Sequence, residues 1–345
     1  MLTWKTGFEI ELLAPAGRTR RDLAERIAQR WGGAVRRVFH QQAEPNADAA
    51  QLIFENLTLG FDVVDGEGRR LASFVDDLTL QADLDKQAAP KPGWYRIVGD
   101  DARLLRLVER QCDAEAPLER VLDPIAALFG TPLERHASGM VRAADIKGSA
   151  VALGAPLPGE RERPCEIVTA PIEREHERLL TDLLGEARAL GFSAPYEGAT
   201  HIHYDAAPLQ SAPVIARLAE ALWLHGDDLK RLCGANPHCV RLGRWPDALI
   251  ALTRGEDFAK MDWQQAAEAL RGVGIGKYCD YNLLNLAVGD GAKNTFEVRV
   301  LPTHLNAAPI LEAAALFQAL LRWCCDSEQA PPERFDAFLD VLAHA

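Results

Sequence analysis

The sequence predicts an α+β protein whose sheet is largely antiparallel. Strand-like segments come first as hairpins and later as single strands between pairs of helices. A parallel sheet would need a steady βαβα alternation, which this order does not have, and a barrel of eight βα units is disfavoured for the same reason. The chain has 345 residues, enough to bury a large core without disulfides or structural metals.

Eight segments carry the strand signals. Most alternate apolar and polar residues in the way that is typical of half-buried strands. The predicted strands are 5–13, 60–64, 71–75, 78–82, 95–98, 165–169, 200–204 and 295–301. The stretch DGEGR at 65–69 predicts a tight turn that joins the second and third of them into a hairpin.

Seven segments have helical periodicity. They are 20–31, 102–111, 173–190, 213–233, 263–270, 307–325 and 332–343. Gly32 and Gly33 end the first, and Gly191 ends the third, as glycine commonly does after the last helical turn.

The order of these elements favours one domain over residues 1–345. No internal repeat or low-complexity tract divides the chain. The Pro- and Gly-rich stretch 151–164 is predicted to be a long surface loop rather than a linker, because a strand with polar residues of its own follows at once.

Composition excludes some functions. Fifty Asp and Glu against 38 Lys and Arg give a formal charge of −12, which argues against a general nucleic-acid surface or an anionic membrane surface. The longest apolar stretch, 305–323, contains Pro309 and Glu312 and is interpreted as a buried or amphipathic helix rather than a membrane span. We therefore expect neither nucleic-acid binding nor a membrane segment.

From the N-terminal sequence and the cysteines we expect a cytoplasmic protein. The N-terminal MLTWKTGFEIELL has no basic segment followed by an apolar run, so no signal or transit peptide is expected. Seven cysteines, an odd number, fit a reducing compartment better than a disulfide framework. Cys233, His238 and Cys239 lack a second Cys/His pair at zinc spacing, which favours structural thiols over a zinc site. The sequence is compatible with a homo-oligomer and does not decide the oligomeric state.

Four of the predicted strands place unusual polar residues opposite an apolar face. Any one of these patterns alone is typical of a solvated strand face or a cross-strand ion pair. Solvated faces are rich in Lys, Thr, Ser and Gln, whereas here the polar positions are nearly all metal-ligand or phosphate-binding types. The residues are Glu9 and Glu11, Glu166, His201 and His203, and Glu297 and Arg299.

This set of side chains suits a hard divalent cation beside a phosphate. Several carboxylates with one or two imidazoles fit Mg²⁺ or Mn²⁺ better than zinc, which prefers His and Cys. Arg299 is of the residue type that neutralises a phosphoryl group in transfer. The interpretation is a nucleotide with a metal, although the sequence carries neither a Walker P-loop nor a Rossmann fingerprint.

Five short motifs, taken in order, resemble the amidoligase family, a branch of the carboxylate–amine ligases that includes glutamine synthetase and glutamate–cysteine ligase. The resemblance spans residues from about 5 to about 320. The motifs are GFEIEL at 7–12, DDLTL at 76–80, CEIVTAPI at 165–172, THIHYD at 200–205 and TFEVRVLP at 295–302.

The resemblance implies a fold and a set of ligands. The fold would be a curved, largely antiparallel sheet forming a half-funnel, with helices packed on its outer face. Glu9, His201 and Glu297 would hold a metal on the ATP phosphates, and Glu11, Glu166 and Asp77 would surround another metal near the reacting carboxylate. His203 would face the substrate, and Arg299 would bind the phosphoryl group in flight.

Four further residues are candidates for substrate binding. Tyr278 and Asn282 belong to KYCDYNLLNL at 277–286, which resembles the segment that precedes the last strand in amidoligases, although a packing role is equally compatible with the pattern. Lys147 and Arg241 are candidate binders of phosphate or carboxylate; a solvated surface role is the default for a lone Lys or Arg.

The function implied is an ATP- and Mg²⁺-dependent (or Mn²⁺-dependent) ligase that joins a small-molecule or peptide acid to an amine through an acyl phosphate. Two alternatives stay open: a metal-dependent hydrolase that uses the His-x-His and carboxylate cluster, and a non-catalytic ligand-binding relative.

Overall fold

The computed structural model describes residues 2–43, 55–99, 101–239, 241–276, 278–288 and 293–344. Within these ranges the protein is α+β and its strand pairings are antiparallel, which confirms the predicted fold class. The strands are β1 (Thr6–Leu13), β2 (Ala34–Ala43), β3 (Glu55–Val64), β4 (Arg70–Val75), β5 (Tyr95–Gly99), β6 (Glu134–Arg135), β7 (Val141–Ala144), β8 (Ala150–Pro156), β9 (Pro164–Thr169), β10 (Ala199–Asp205), β11 (Tyr281–Asn282) and β12 (Thr295–Pro302).

Ten α-helices accompany these strands in the described ranges. They are α1 (Arg20–Arg30), α2 (Ala102–Gln111), α3 (Asp123–Phe129), α4 (His176–Ala189), α5 (Ala212–Leu232), α6 (Asp247–Thr253), α7 (Trp263–Gly272), α8 (Leu284–Val288), α9 (Ala307–Asp326) and α10 (Phe335–Leu342). All seven predicted helices are present, with ends that differ by up to three residues; the short helices α3, α6 and α8 were not predicted.

The chain divides into two compact units. The first comprises Met1–Ile10, Pro171–Gly185 and Glu197–Ala345, and the second comprises Glu11–Ala170 and Glu186–Tyr196. The prediction of a single domain over 1–345 is not decided by this division and stays a prediction.

Among its described residues the first unit contains β11, β12, β10 and the first part of β1, residues 6–10, which neighbour one another in that order. One face of these strands is apolar and fully buried, with Phe8, Ile202, Tyr204, Phe296 and Val298. Burying such side chains stabilises the unit by roughly 1.5–3 kcal/mol each. The alternation along each strand therefore leaves the other face to the polar residues.

Helix α9 belongs to the core of the first unit. By length and composition alone it could cross a membrane, but in its most apolar window 44% of the residues are buried inside the protein. The Tyr204 hydroxyl donates to the carbonyl of Ala314 at 2.8 Å, and Trp323 packs edge-on against Phe338 of α10. These contacts are those of a core helix, and the expectation that the protein has no membrane segment stays a prediction.

The second unit contains strands in the order β9-β4-β3-β5-β8-β7-β6, with β2 paired along the full length of β3. Helix α1 packs on β3, and its Leu23 and Ile27 are fully buried. Its N-terminus is closed by a capping box between Thr19 and Asp22. The turn at 65–69 is formed as predicted, with Asp65 accepting hydrogen bonds from the backbone N–H groups of Glu67 and Arg69.

Two local predictions in this unit are wrong. Residues 78–82 form turns instead of a strand, because the Asp77 carboxylate accepts hydrogen bonds from the backbone N–H and hydroxyl of Thr79 and so favours a turn. The stretch 151–164 is not a long surface loop: its first part is strand β8, which pairs with β5 and β7 and buries Val151 and Ala152.

Arg20 is a fully buried cation in the second unit. Its guanidinium donates to the carbonyls of Leu59, Arg161 and Pro164 at 2.9, 2.8 and 3.1 Å. It lies 3.9 Å from the Asp76 carboxylate and 4.6 Å from the centre of the Trp94 ring. These contacts offset the cost of burying its charge.

We expect Arg20→Met to lower the free energy of unfolding by about 3 kcal/mol, because three carbonyls and the Asp76 carboxylate would lose a buried partner. Urea denaturation followed by circular dichroism measures the change. Arg21→Met is the matched control, since Arg21 lies on the same helix with 56% of its side chain exposed. The control should change stability by less than about 0.5 kcal/mol; equal losses in the two variants would contradict the prediction.

Candidate functional site

Strand register brings the polar residues of the first unit together. Glu9 on β1 lies directly across from His201 on β10. His203 lies across from Glu297 on β12, and Glu297 lies across from Asn282 on β11. Cross-strand neighbours project from the same face of a sheet. All five side chains therefore converge on the face opposite the apolar core.

The distances define a cluster of two carboxylates and two imidazoles. His201 Nδ1 lies 3.3 Å from Glu9 Oε2 and 3.5 Å from Glu297 Oε1. His203 Nε2 lies 3.3 Å from Glu9 Oε1 and 3.8 Å from Glu297 Oε1. Glu9, His201 and Glu297 each offer one ligand atom, and these three atoms lie within 4.8 Å of one another. We call Glu9, His201, His203 and Glu297 the Glu–His cluster.

The surroundings keep the two carboxylates charged. Burial raises the pKa of Glu9, but the charge of His203 and the contact with His201 outweigh this effect and hold the pKa well below its ordinary value. Burial likewise raises the pKa of Glu297, and the charges of His203 and Arg299 overcome it, so that the pKa is lowered. Ionised carboxylates are the form that coordinates a cation.

The pKa values of the two histidines shift in opposite directions. Burial lowers the pKa of His201, and the positive charge of Arg299 lowers it further against the influence of Glu9. Burial also lowers the pKa of His203, but the charge of Glu9 and its hydrogen bond prevail and the pKa is raised. His201 is therefore the imidazole that is neutral near pH 7, as a metal ligand must be.

The donor set of the Glu–His cluster fits a divalent metal. Two charged carboxylates with a neutral imidazole suit Mg²⁺ or Mn²⁺, and the cluster contains no thiolate of the kind that structural zinc sites favour. The cluster is also mostly shielded from water, with side-chain exposures of 3% for His201, 5% for Glu297 and 18% for Glu9. A cation would replace the repulsion between the two carboxylates by attraction.

Arg299 completes the polar face. Its Nη1 donates to Glu297 Oε1 at 2.5 Å, and its backbone N–H donates to the carbonyl of Asp280 at 3.0 Å. Burial lowers the pKa of Arg299, but the charge of Glu297 prevails and raises it, so the side chain is a permanent cation. Its Nε is buried and has no hydrogen-bond partner among the described residues. A buried donor without a partner is costly unless a ligand accepts from it.

Two supporting residues were not predicted. Thr295 Oγ1 lies 3.2 Å from His203 Nδ1 and fixes the orientation of that ring. Asp280 is buried and accepts a hydrogen bond from Lys230 at 2.8 Å, so that it anchors the segment beside Arg299. Thr295 could have been found from the sequence, because it lies two residues before Glu297 on the same strand face; nothing in the sequence marks Asp280.

Three predicted ligands lie in the second unit. Glu11 on β1 is fully buried, and Glu166 on β9 is half-buried and pairs across to Val75. The Asp77 carboxylate is engaged by Thr79. In the described residues these three acids do not form a group with metal-ligand spacing, so their assignment to a second metal stays a prediction.

Asp76, rather than Asp77, is the acid of the DDLTL motif that is fully buried. It accepts a hydrogen bond from Arg161 Nη2 at 2.6 Å, and the same guanidinium donates to the carbonyls of Asp77 and Leu80. Arg161 thus fixes the turn at 76–80. Sequence reasoning missed this role because Arg161 lies in the stretch that was predicted to be a surface loop.

The predicted substrate residues have different surroundings. Tyr278 is 53% exposed in the first unit, and Lys147 is exposed in the turn between β7 and β8 of the second. Arg241 is half-buried. Its positive charge is close enough to Arg299 to lower the pKa of Arg299, although the charge of Glu297 outweighs this effect and the pKa of Arg299 is raised overall. Asn282 is buried against Glu297. Lys277, the first residue of the segment that contains Tyr278 and Asn282, lies outside the described residues. All four assignments stay predictions.

The family is shown by comparison with known proteins. A family model described as "Putative amidoligase enzyme" matches residues 2–321, which is nearly the whole chain. A comparison with curated proteins finds no match, and neither does a comparison with solved structures. Because the family model covers far more than half of the sequence, this chain belongs to the amidoligase family.

Proposed function

We propose that this protein is an ATP- and magnesium-dependent carboxylate–amine ligase. The observation that carries the proposal is the Glu–His cluster beside Arg299, in a member of the amidoligase family. Charged carboxylates, a neutral imidazole and a buried guanidinium whose Nε has no hydrogen-bond partner in the described part of the chain form a surface suited to a metal-bound polyphosphate.

The proposed reaction has two steps. A carboxylate oxygen of the acid substrate attacks the γ-phosphorus of ATP, the bond from that phosphorus to the β,γ-bridging oxygen breaks, and ADP leaves. The amine nitrogen then attacks the carbonyl carbon of the acyl phosphate, and the bond from that carbon to the phosphate oxygen breaks. The proton that the nitrogen loses leaves with the phosphate as hydrogen phosphate. The products are an amide, ADP and phosphate, so that atoms and charges balance.

Each residue of the cluster has a role in this proposal. Glu9, His201 and Glu297 would hold the metal, and Mn²⁺ could take the place of Mg²⁺. The bound cation supplies positive charge that reduces the repulsion between the substrate carboxylate and the phosphates. Arg299 would donate to the oxygens of the transferred phosphoryl group, and His203 would face the substrate beside Glu9. Rigid strands suit this task, because fixed side chains lower the cost of aligning two anions.

A phosphate-release screen tests the proposal. Purified protein would be incubated with ATP, Mg²⁺ and paired acids and amines drawn from amino acids, small peptides, polyamines and cell-wall fragments. We expect at least about a tenfold increase in phosphate release when a productive pair is present, because the acyl phosphate turns over only when an amine consumes it. Mass spectrometry of the same mixtures should find the amide.

Two other outcomes would replace the proposal. Tightly bound zinc together with ATP-independent cleavage of amides would indicate a metal-dependent hydrolase. A melting temperature that saturating ATP and Mg²⁺ leave unchanged would indicate a relative that does not bind the nucleotide.

A further inference from the structure

Asn282 lies at the edge of the Glu–His cluster without belonging to it. It is on the two-residue strand β11, directly across from Glu297, and is only 3% exposed. An amide buried at this place must satisfy its polar atoms within the protein. The question is what its contacts do to Glu297.

Both ends of the Asn282 amide are bound. Its Nδ2 donates to Glu297 Oε2 at 2.8 Å, and its Oδ1 accepts from the backbone N–H of Leu284 at 2.8 Å. The second contact fixes which end of the amide is which, because a flipped amide would turn two donors toward each other. The backbone of Leu284, the first residue of α8, therefore holds Asn282 in one orientation.

The two oxygens of Glu297 consequently have different partners. Oε2 is engaged by Asn282, whereas Oε1 accepts from Arg299 and faces both imidazoles, 3.5 Å from His201 Nδ1 and 3.8 Å from His203 Nε2. A carboxylate that lost the Oε2 contact could rotate about its terminal bond and present either oxygen, or both, to a cation. Partners that orient a ligand in this way are worth about 10- to 100-fold in metal affinity.

We propose that Asn282 is a positioning residue that makes Glu297 coordinate the divalent metal through Oε1 alone. This inference rests on the metal site of the proposed function and goes beyond it, because it assigns to Asn282 a role toward the metal ligand in place of contact with the substrate. The two roles differ in a measurable way. A substrate-binding residue has no effect on metal affinity in the absence of substrate, whereas a positioning residue does.

Isothermal titration with Mn²⁺ alone, without ATP or substrate, tests the proposal. We expect Asn282→Ala to weaken Mn²⁺ binding about 10-fold or more relative to the wild-type protein. The electron paramagnetic resonance spectrum of bound Mn²⁺ should also change, since the ligand geometry at Glu297 would no longer be fixed.

Tyr281→Phe is the matched control. Tyr281 is the other residue of β11, and its hydroxyl donates to the carbonyl of Gly226 at 3.0 Å, away from the cluster. Removing that hydroxyl disturbs the same strand, so it should lower the melting temperature while leaving Mn²⁺ affinity within about twofold. If the role of Asn282 were purely structural, Asn282→Ala would likewise lower the melting temperature and leave Mn²⁺ affinity within about twofold.

A second variant tests the proposal if Asn282→Ala folds poorly. Asn282→Leu fills the same volume with neither a donor nor a charge. A fixed concentration of Mn²⁺ should raise the melting temperature of this variant by less than that of the wild-type protein, because Glu297 Oε2 would lose the contact with Asn282.

The outcomes separate the two proposals. Wild-type protein that binds Mn²⁺ together with an Asn282→Ala variant that binds it equally well overturns only the positioning role. An Asn282→Leu variant that Mn²⁺ stabilises as much as it stabilises the wild-type protein also overturns the positioning role. Wild-type protein that does not bind Mn²⁺ overturns both the metal site and the role of Asn282.

Discussion

Replacing Glu297 with glutamine should reduce ATP-dependent phosphate release to below about one thousandth of the wild-type rate, because the proposed metal site would lose a charged ligand and with it several kcal/mol of charge stabilisation in the transition state. Glu297 is the centre of the cluster: its Oε1 faces both histidines and accepts from Arg299. Glutamine keeps the size and can still accept from Arg299, but carries no charge to attract a cation. Mn²⁺ affinity should fall together with the rate.

The design of this experiment separates metal loss from unfolding. Glu297→Gln leaves Arg299 buried without a carboxylate, which can cost stability. Circular dichroism and the melting temperature must therefore accompany the kinetics. Glu177→Gln is the control, because it removes an exposed carboxylate of the same unit. A folded Glu297→Gln protein with wild-type Mn²⁺ affinity would remove Glu297 from the metal site.

Replacing Arg299 with lysine is expected to lower kcat about 10³-fold while leaving Mn²⁺ affinity undiminished. Lysine keeps the positive charge but loses the planar fork, including the buried Nε that has no partner among the described residues. If that donor meets the phosphoryl group only as charge develops in the transition state, its loss acts on kcat more than on binding.

Steady-state phosphate release at varied ATP concentrations measures kcat and the KM for ATP separately. Arg254→Lys serves as the control, because Arg254 lies in the same unit, pairs with Glu220 and has 53% of its side chain exposed. An Arg299→Lys enzyme that turned over at the wild-type rate with only a raised KM for ATP would assign the residue to ground-state binding instead.

The residues of the Glu–His cluster could be predicted because strand periodicity is a local property. Glu9, His201, His203 and Glu297 each occupy a polar position in a strand whose other positions are large and apolar, so burial of the apolar residues dictates the face on which the polar ones lie. The residue types then indicated a cation and a phosphate. No contact had to be known to reach that interpretation.

The supporting contacts could not be predicted in the same way. No alternation of apolar and polar residues around Asn282 marks it as a partner of Glu297. Strand β11 has only two residues, too few to be recognised from the sequence. Arg161 lies in a stretch that resembles an ordinary loop, and Arg20 lies in one that resembles an ordinary surface helix. Both are buried, and both donate hydrogen bonds to backbone carbonyls that are distant in the chain. Local composition carries no signal for such long-range partners.

The α+β class, the polar faces of the strands and the family resemblance can be predicted from the amino-acid order alone, because alternation and motif order are properties of neighbouring residues. Which polar side chains meet depends on the folded chain. The register between β1 and β10 and between β10 and β12 places Glu9 near His201 and Glu297. The Asp77 carboxylate instead accepts a hydrogen bond from Thr79 within the turn that contains both residues. A cluster depends on distances between segments that are far apart in sequence, and strand pairing and packing set those distances.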